Sequence, residues 1–215
     1  MIRILVADDH EVVRKGLIGL LAQRPDWQVC AEAGNGRDAV AFANRFRPNV
    51  AILDLSMPEL NGLEATRQIR REVPETEVLV FSMYENEQFV RDLLSAGARG
   101  YVLKSDVATQ LLTAVETVAR HKPFFTSDIA EKVLEGYLKL GEIAEGGDAP
   151  GILTAREREI VQLLAESKSN KEVSTVLGIS VKTVQTHRAA IMRKLGINSV
   201  VELVHYAIRN NLVSP

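Results

Sequence analysis

The chain has 215 residues, of which 46% are hydrophobic and 25% charged, a composition that is ordinary for a globular protein. Its single cysteine, Cys30, excludes a disulfide framework and a cysteine-based zinc site, and its apolar runs are too short to span a membrane. The net charge of −2 conceals an asymmetry, because residues 151–215 carry nine Lys and Arg against five Asp and Glu. We expect a cytoplasmic protein with no membrane partner, whose basic C-terminal part favours a polyanion.

Residues 1–121 alternate between two hydrophobic periodicities. Short β-branched runs predict strands at about 2–7, 28–33, 50–53, 78–82 and 100–103. The longer stretches between and after them place apolar residues at helical spacing, as in Leu17, Leu20 and Leu21. Strict alternation of strand and helix predicts an α/β domain whose parallel sheet is covered by helices on both faces.

Residues 122–150 are expected to connect this domain to a second one. An amphipathic pattern predicts a helix near 126–140, with Ser127 as its N-cap. The glycine-rich stretch from Gly141 to Gly151 then has the composition of a flexible linker.

Residues 151–215 show no strand signal. Four short helices fit the pattern, at about 154–166, 170–177, 181–195 and 199–210. Thr154 and Glu157 form the residue pair of a capping box, Ser180 can cap the third helix, and Gly178 interrupts the chain before it. We therefore expect a second, smaller all-α domain.

Polar side chains follow the apolar strands of the first domain. Asp8 and Asp9 follow the first strand, Asp54 follows the third, Ser82 ends the fourth and Lys104 follows the fifth. The carboxyl ends of parallel strands meet at one edge of the sheet, where open α/β folds place their sites. Clustered carboxylates need a proton or a hard cation, and Mg²⁺ suits oxygen ligands.

The chemistry of these groups suggests a division of roles. Asp54, alone at the end of a central strand, is the best nucleophile toward phosphorus, whereas Asp8 and Asp9 are the best metal ligands. Lys104 can pair with a carboxylate or with a phosphoryl oxygen, and Ser82 can donate a hydrogen bond to the same phosphoryl oxygen. Taken singly, Asp9 could cap a helix, Ser82 could cap a turn and Lys104 could be a solvated surface lysine. Their common position at strand ends favours a site instead.

The residues around these strand ends resemble the receiver domain of two-component response regulators. The matching segments are Leu5-Val6-Ala7-Asp8-Asp9-His10, Leu53-Asp54-Leu55-Ser56-Met57-Pro58-Glu59-Leu60-Asn61-Gly62 and Tyr101-Val102-Leu103-Lys104. The resemblance implies a doubly wound, flavodoxin-like sheet of five parallel strands in the order 2-1-3-4-5. It also implies a role for each site residue: phosphoacceptor Asp54; Mg²⁺ ligands Asp8, Asp9, Asp54 and the backbone carbonyl of Ser56; and switch or phosphoryl contacts Ser82, Tyr101 and Lys104.

The helices predicted at 170–177 and 181–195 form the pattern of a helix-turn-helix around Gly178. The second helix of that motif enters the major groove of DNA. Its apolar residues would face the domain core, and its outward residues would be Lys182, Thr183, Gln185, Thr186, Arg188 and Ala189. A solvated polar helix face is the alternative for each of them.

The C-terminal domain resembles the LuxR-type DNA-binding domain. The resemblance rests on Leu153-Thr154-Ala155-Arg156-Glu157-Arg158-Glu159, Ser169-Asn170-Lys171-Glu172-Val173, Ile179-Ser180-Val181-Lys182-Thr183-Val184-Gln185-Thr186-His187-Arg188 and Lys194-Leu195-Gly196-Ile197. It implies that His187 also faces DNA. It further implies a dimer contact made by Val200, Leu203, Val204 and Ala207, for which packing within the domain is the alternative.

Together the two domains are similar to the NarL/FixJ class of transcriptional response regulators. The similarity predicts a non-enzymatic regulator in which a histidine kinase phosphorylates Asp54, and this promotes homodimerisation and binding to double-stranded DNA. Three alternatives remain. An Mg²⁺-dependent phosphohydrolase would place a second Asp where Ser56 stands. The others are a regulator that senses a small molecule and a receiver-like regulator that binds DNA without phosphorylation.

Overall fold

The computed structural model describes residues 1–83, 87–126, 129–130, 153–210 and 212–213. The chain divides into two compact units, each of which is described by itself: Met1–Met57 with Gly62–Glu145, and Pro58–Asn61 with Gly146–Pro215. The predicted linker helix near 126–140 and the glycine-rich stretch after it fall almost wholly outside the described residues.

The first unit alternates strands and helices along the chain. Its strands are β1 Ile2–Ala7, β2 Trp27–Ala33, β3 Val50–Asp54, β4 Glu77–Ser82, β5 Gly100–Leu103 and β6 Phe124–Phe125. Its helices are α1 Glu11–Leu21, α2 Gly36–Phe46, α3 Gly62–Glu72, α4 Glu87–Ser95 and α5 Val107–Ala119, with a 3-10 turn at Lys104–Asp106.

The strands form one parallel sheet in the order β2-β1-β3-β4-β5-β6. The predicted doubly wound sheet and its order are confirmed, but the predicted count of five strands is wrong by one. The extra strand is the pair Phe124–Phe125, which lies beside Gly100 and Tyr101 of β5. Two residues are too few to show a periodicity, so the sequence pattern could not separate this strand from the linker.

The sheet is buried on both faces, which explains the nearly continuous apolar strands. All five residues of β3 and all six of β4 are buried. Alternate side chains of a strand point to opposite faces, so Ile4 and Ile52 pack with Leu17 of α1 and Leu111 of α5 on one face. Helices α2 and α3 contact strands of the same sheet. The core therefore holds the carboxyl ends of the central strands in a fixed register.

The second unit is helical where it is described. Its helices are α6 Ala155–Ala165, α7 Asn170–Leu177, α8 Val181–Leu195 and α9 Val200–Arg209. Each lies within two residues of its predicted limits. Their core is a cluster of buried aliphatic side chains: Leu153, Ile160, Val161, Leu163, Leu164, Val173, Leu177, Val184, Ile191, Leu203, Ala207 and Leu212.

Side-chain caps fix where the helices of the second unit begin. Thr154 and Glu157 form the predicted capping box of α6, and Ser180 accepts a hydrogen bond from the backbone N–H of Thr183 at the start of α8. Gly178 ends α7 with a φ of 63°, a left-handed conformation that glycine adopts without strain. No helix in the described part of the chain combines the length and the apolar character that a membrane span requires.

Candidate functional site

The sheet register brings the polar strand ends to one edge. Ala7 of β1 lies beside Leu53 of β3, so Asp8 and Asp54 follow at the same level. Asp54 pairs with Phe81, and Ser82 at the end of β4 pairs with Leu103 of β5. Since Lys104 follows Leu103 directly, its side chain starts at this edge as well.

Lys104 bridges two buried carboxylates. Its Nζ lies 2.7 Å from Oδ2 of Asp8 and 3.1 Å from Oδ2 of Asp54. Asp8 is fully buried and Asp54 is 3% exposed. The other oxygen of Asp54, Oδ1, accepts a hydrogen bond of 2.8 Å from the backbone N–H of Leu55. The Lys104 ammonium also lies 5.3 Å from the centre of the Phe81 ring, within the range of a cation–π contact.

The electrostatics of this edge disfavour a further negative charge. Burial raises the pKa of Asp54; the Lys104 ammonium opposes the rise and the Asp8 charge adds to it. For Lys104, burial acts to lower the pKa, but its contacts with Asp8 and Asp54 outweigh burial and raise it. One ammonium is thus shared between two buried carboxylates, and a second cation would stabilise the ionised form of Asp54.

Two residues at the rim extend the acidic cluster. Oδ1 of Asp9 lies 2.8 Å from Nδ1 of His10, and the backbone N–H of His10 donates to Oδ1 of Asp8 at 2.8 Å. Potential ligand atoms of Asp8, Asp9, His10 and Asp54 all lie within 4.8 Å of one another. The structure therefore brings the three predicted carboxylates together and adds His10, to which sequence reasoning gave no role. Carboxylate oxygens at this spacing fit a hard divalent cation.

Arg14 of α1 forms a hydrogen bond to the backbone of Asp8. Its Nη1 donates to the backbone carbonyl of Asp8 at 2.7 Å, and its Nε lies 3.9 Å from Oε2 of Glu32. The sequence pattern did not indicate this contact, although Arg14 lies about one helical turn after His10, the N-cap residue of α1.

Gly62 lies against the chain that leaves the site. A Cβ at this position would overlap the backbone carbonyl oxygen of Asp54 and lie 2.9 Å from Cα of Leu55. The backbone N–H of Gly62 donates to the carbonyl of Leu55 at 2.9 Å. The absence of a side chain therefore allows the start of α3 to pack directly behind Asp54.

The remaining predicted residues of the first unit lie close to this edge. Ser82 is fully buried, and Tyr101 is 1% exposed within β5, between Val80 of β4 and Phe125 of β6. Ser56 is half-buried, two residues after Asp54. The switch roles of Ser82 and Tyr101, and that of the Ser56 carbonyl as a ligand, stay predictions.

Helices α7 and α8 form the predicted helix-turn-helix. Of the residues expected to face DNA, Lys182, Thr183, Gln185, Thr186 and Ala189 are exposed, and His187 and Arg188 are partly exposed. Val184 and Ile191 point into the core of the unit, which fixes the opposite face outward. The Thr186 hydroxyl donates to the backbone carbonyl of Lys182 at 3.0 Å, so it already has a hydrogen-bond partner within the helix.

The predicted dimer contact on α9 needs a correction. Leu203 and Ala207 are buried in the core of the second unit itself, 1% and 0% exposed, because they face α6 across the helix pair. They cannot form an outer surface in this fold. Val200 is 45% exposed and Val204 is half-buried, and Val201, which was not predicted, is 64% exposed.

Both halves of the chain match known protein families. Residues 4–116 match the response regulator receiver domain, and residues 151–207 match the bacterial regulatory proteins of the luxR family. The chain is 38% identical to the transcriptional regulatory protein LiaR of Bacillus subtilis over 214 residues, covering 100% of both proteins. It is 37% identical to the oxygen regulatory protein NreC of Staphylococcus epidermidis, covering 98% of this chain and 99% of NreC.

Solved structures of response regulators share the fold. A LuxR-family two-component response regulator from Aurantimonas matches with a TM-score of 0.61 and 33% identity, over 64% of this chain and 99% of that one. The response regulator RcsB in complex with DNA matches with a TM-score of 0.59 and 25% identity, over 95% of this chain and 96% of that one. The chain therefore belongs to the two-component response regulators of the NarL/FixJ class, which join a receiver domain to a LuxR-type helix-turn-helix domain and bind DNA to regulate transcription.

Proposed function

We propose that phosphorylation of Asp54 switches this regulator between two DNA-binding states. The observation that carries the proposal is the position of Asp54, a buried carboxylate at the end of a central strand that shares one ammonium with Asp8. The phosphoryl group would come from a histidine kinase, as is general for the family. A chain that binds DNA without regard to phosphorylation is the alternative.

The contacts of Asp54 suggest how its side chain receives the phosphoryl group. The Lys104 ammonium opposes the effect of burial on the Asp54 pKa and so favours the ionised, nucleophilic form. One carboxylate oxygen forms a bond to phosphorus, and the donor atom leaves with the electron pair of the bond that breaks. Lys104 and the hydroxyl of Ser82 then contact the new phosphoryl oxygens.

Receiver domains generally hold Mg²⁺ in an acidic pocket, and the cluster here fits that ion. Asp8, Asp9 and Asp54 would hold it, with the backbone carbonyl of Ser56, since their oxygens suit a hard cation. When bound, Mg²⁺ supplies the positive charge that offsets the negative charges of the carboxylates and of the phosphoryl group. Burial raises the pKa of Asp54, and a bound cation would act in the opposite direction by stabilising the carboxylate.

The added charge is the signal that the protein transmits. A phosphoryl group brings up to about two negative charges into the buried edge. Ser82 moves toward it and the Tyr101 ring follows, which changes the surface formed by α4 and β5. Phosphorylation thereby promotes homodimerisation, to which Val200 and Val204 contribute. The related response regulator RcsB has been solved as dimers bound to DNA.

Helix α8 is the recognition helix of this proposal. Lys182, Thr183 and Arg188 contact the DNA backbone, while Gln185 reads a base edge and the Thr186 methyl contacts thymine. His187 and Ala189 line the same face of α8. In a dimer, two such helices occupy major grooves about one helical turn, or about 34 Å, apart.

Mass spectrometry of the intact chain tests the phosphoacceptor. With acetyl phosphate and Mg²⁺, the wild type is expected to gain the mass of one phosphoryl group and Asp54→Asn none. Asp26→Asn, which changes an exposed aspartate just before β2, is the matched control and should behave as the wild type. A full phosphoryl gain in Asp54→Asn would refute the assignment.

Two substitutions on α8 test base reading. Gln185→Ala is expected to relax sequence preference by about 1–3 kcal/mol at one base pair. Lys182→Met should instead weaken binding to all duplexes alike and reduce the salt dependence of binding. If Gln185→Ala also weakened all duplexes equally, Gln185 would not read a base.

A further inference from the structure

The first turn of α6 contacts both helices of the helix-turn-helix. Three helices of the second unit begin with a capping box, in which Glu157, Glu172 and Glu202 each accept from a backbone N–H at their own helix start. Glu157 differs from the other two because its carboxylate also forms an ion pair with another helix. That second contact is not needed for capping.

Glu157 holds the C-terminal end of α8. Nζ of Lys194 lies 2.7 Å from both carboxylate oxygens of Glu157, and Lys194 is in the last turn of α8, just before Gly196. The hydrogen bond from Lys194 keeps the pKa of Glu157 below its ordinary value, and the Thr154 backbone N–H acts in the same direction. The carboxylate therefore stays charged at neutral pH.

Arg156 holds the C-terminal end of α7. Its Nη2 donates to the backbone carbonyl of Leu177, the last residue of α7, at 2.8 Å. Its Nη1 lies 3.0 Å from Oε2 of Glu159, which restricts the guanidinium. Carbonyls at a helix end lack partners within the helix, so this bond ties the chain to α6 at the point where it turns toward α8.

We propose that Arg156 and Glu157 are positioning residues that set the orientation of α8 and thereby determine how well the regulator discriminates between DNA sequences. Neither residue contacts a base in this proposal. Arg156 acts through the turn before α8, and Glu157 acts through the last turn of α8. The proposal rests on α8 as the base-reading helix.

The length of α8 makes its orientation sensitive to the Glu157–Lys194 contact. Gln185 is nine residues from Lys194, and a helix rises about 1.5 Å per residue, so the two lie about 13 Å apart along the axis. A tilt of about 5° about the Lys194 end would move Gln185 by about 1 Å, and hydrogen bonds to base edges tolerate only a few tenths of an ångström. Phosphate contacts by long, flexible side chains can follow the same movement.

If Arg156 and Glu157 only stabilised the fold, replacing them would not specifically lower the discrimination between DNA sequences. Lys194 is 40% exposed whereas Glu157 is 6% exposed, so water screens the ammonium end of the pair and its contribution to folding is modest. Loss of the pair should therefore leave the domain folded. The decisive quantity is the ratio of affinities for a preferred and a scrambled duplex, because changes in overall charge affect both duplexes and cancel in the ratio.

The experiment uses the full chain with acetyl phosphate and Mg²⁺ in every arm. The preferred duplex is selected from a randomised pool with the wild type, and its scrambled counterpart has the same length and composition. We expect Glu157→Gln to lower the affinity ratio about tenfold while binding to the scrambled duplex changes less than about twofold. Glu172→Gln is the matched control, since it neutralises a capping-box carboxylate that forms no ion pair with another helix in the described part of the chain, and it should leave the ratio unchanged.

A double-mutant cycle completes the test. Lys194→Met combined with Glu157→Gln should lower the ratio no further than either change alone, because both remove the same contact. An unchanged ratio in Glu157→Gln, additive losses in the double variant, or an equal loss in Glu172→Gln would each overturn the proposal. Failure of Gln185→Ala to change base preference would instead refute base reading by Gln185, so the two failures are distinguishable.

Discussion

Replacing Lys104 by methionine removes the ammonium that pairs with both buried carboxylates of the receiver. Met keeps most of the length of the side chain, so the change is mainly one of charge. The variant leaves Asp8 and Asp54 facing each other in a site where neither is more than 3% exposed. We expect a large loss of stability at neutral pH.

The distances set the size of that loss. At 2.7 Å and 3.1 Å, each contact of Lys104 is worth about 5–6 kcal/mol of attraction at an effective dielectric constant of about 20. Most of this offsets the cost of burying the charges. Breaking a buried pair by removing one partner costs about 3–5 kcal/mol net. The loss should narrow as the pH falls, because without the ammonium the pKa of Asp54 rises further and protonation relieves the repulsion.

Urea unfolding followed by tryptophan fluorescence measures this loss in the receiver. The chain has a single tryptophan, Trp27, at the start of β2. Lys15→Met is the control, since Lys15 pairs with Glu11 on the exposed face of α1 and its loss should leave the urea midpoint nearly unchanged. If Lys104→Met cost no more than Lys15→Met at pH 7, the two carboxylates would not be held together by Lys104.

Three further changes test separate parts of the structure. The raised pKa of Asp54 means that its ionisation costs stability as the pH rises through that pKa, so Asp54→Asn should raise the urea midpoint of the receiver at neutral pH and lose that advantage as the pH falls. Gly62→Ala should lower the free energy of unfolding by about 1–3 kcal/mol through overlap with the Asp54 carbonyl, and an unchanged urea midpoint would contradict that packing. Ser180→Ala should cost the second unit about 1 kcal/mol, measured by circular dichroism, because the N–H of Thr183 loses its cap; no loss would show that the cap is dispensable.

The position of the site could be predicted from the sequence because it depends on strand ends. A run of buried residues fixes where a strand stops, and parallel strands place their carboxyl ends at one edge. Asp8, Asp54 and Lys104 meet there for this reason alone. What the sequence left open was which charges pair: it allowed Lys104 a carboxylate or a phosphoryl oxygen, whereas the structure shows one ammonium bridging both Asp8 and Asp54.

Features that depend on packing between elements were missed. The contact of Arg14 with the Asp8 carbonyl and the overlap that excludes a side chain at Gly62 depend on how α1 and α3 approach the sheet, which no local pattern encodes. Strand β6 is too short for a periodicity and is defined by its partner β5. On α9, helical spacing identified Leu203 correctly as lying on an apolar face but could not tell a core from a dimer surface.

Control of DNA binding by a phosphoryl group on Asp54 can be measured in an electrophoretic shift assay. The wild type and Asp54→Ala are titrated onto a preferred duplex, each with and without acetyl phosphate in the presence of Mg²⁺. Acetyl phosphate is expected to tighten binding by the wild type and to leave Asp54→Ala unchanged. An equal response of both proteins to acetyl phosphate would show that phosphorylation of Asp54 does not control DNA binding.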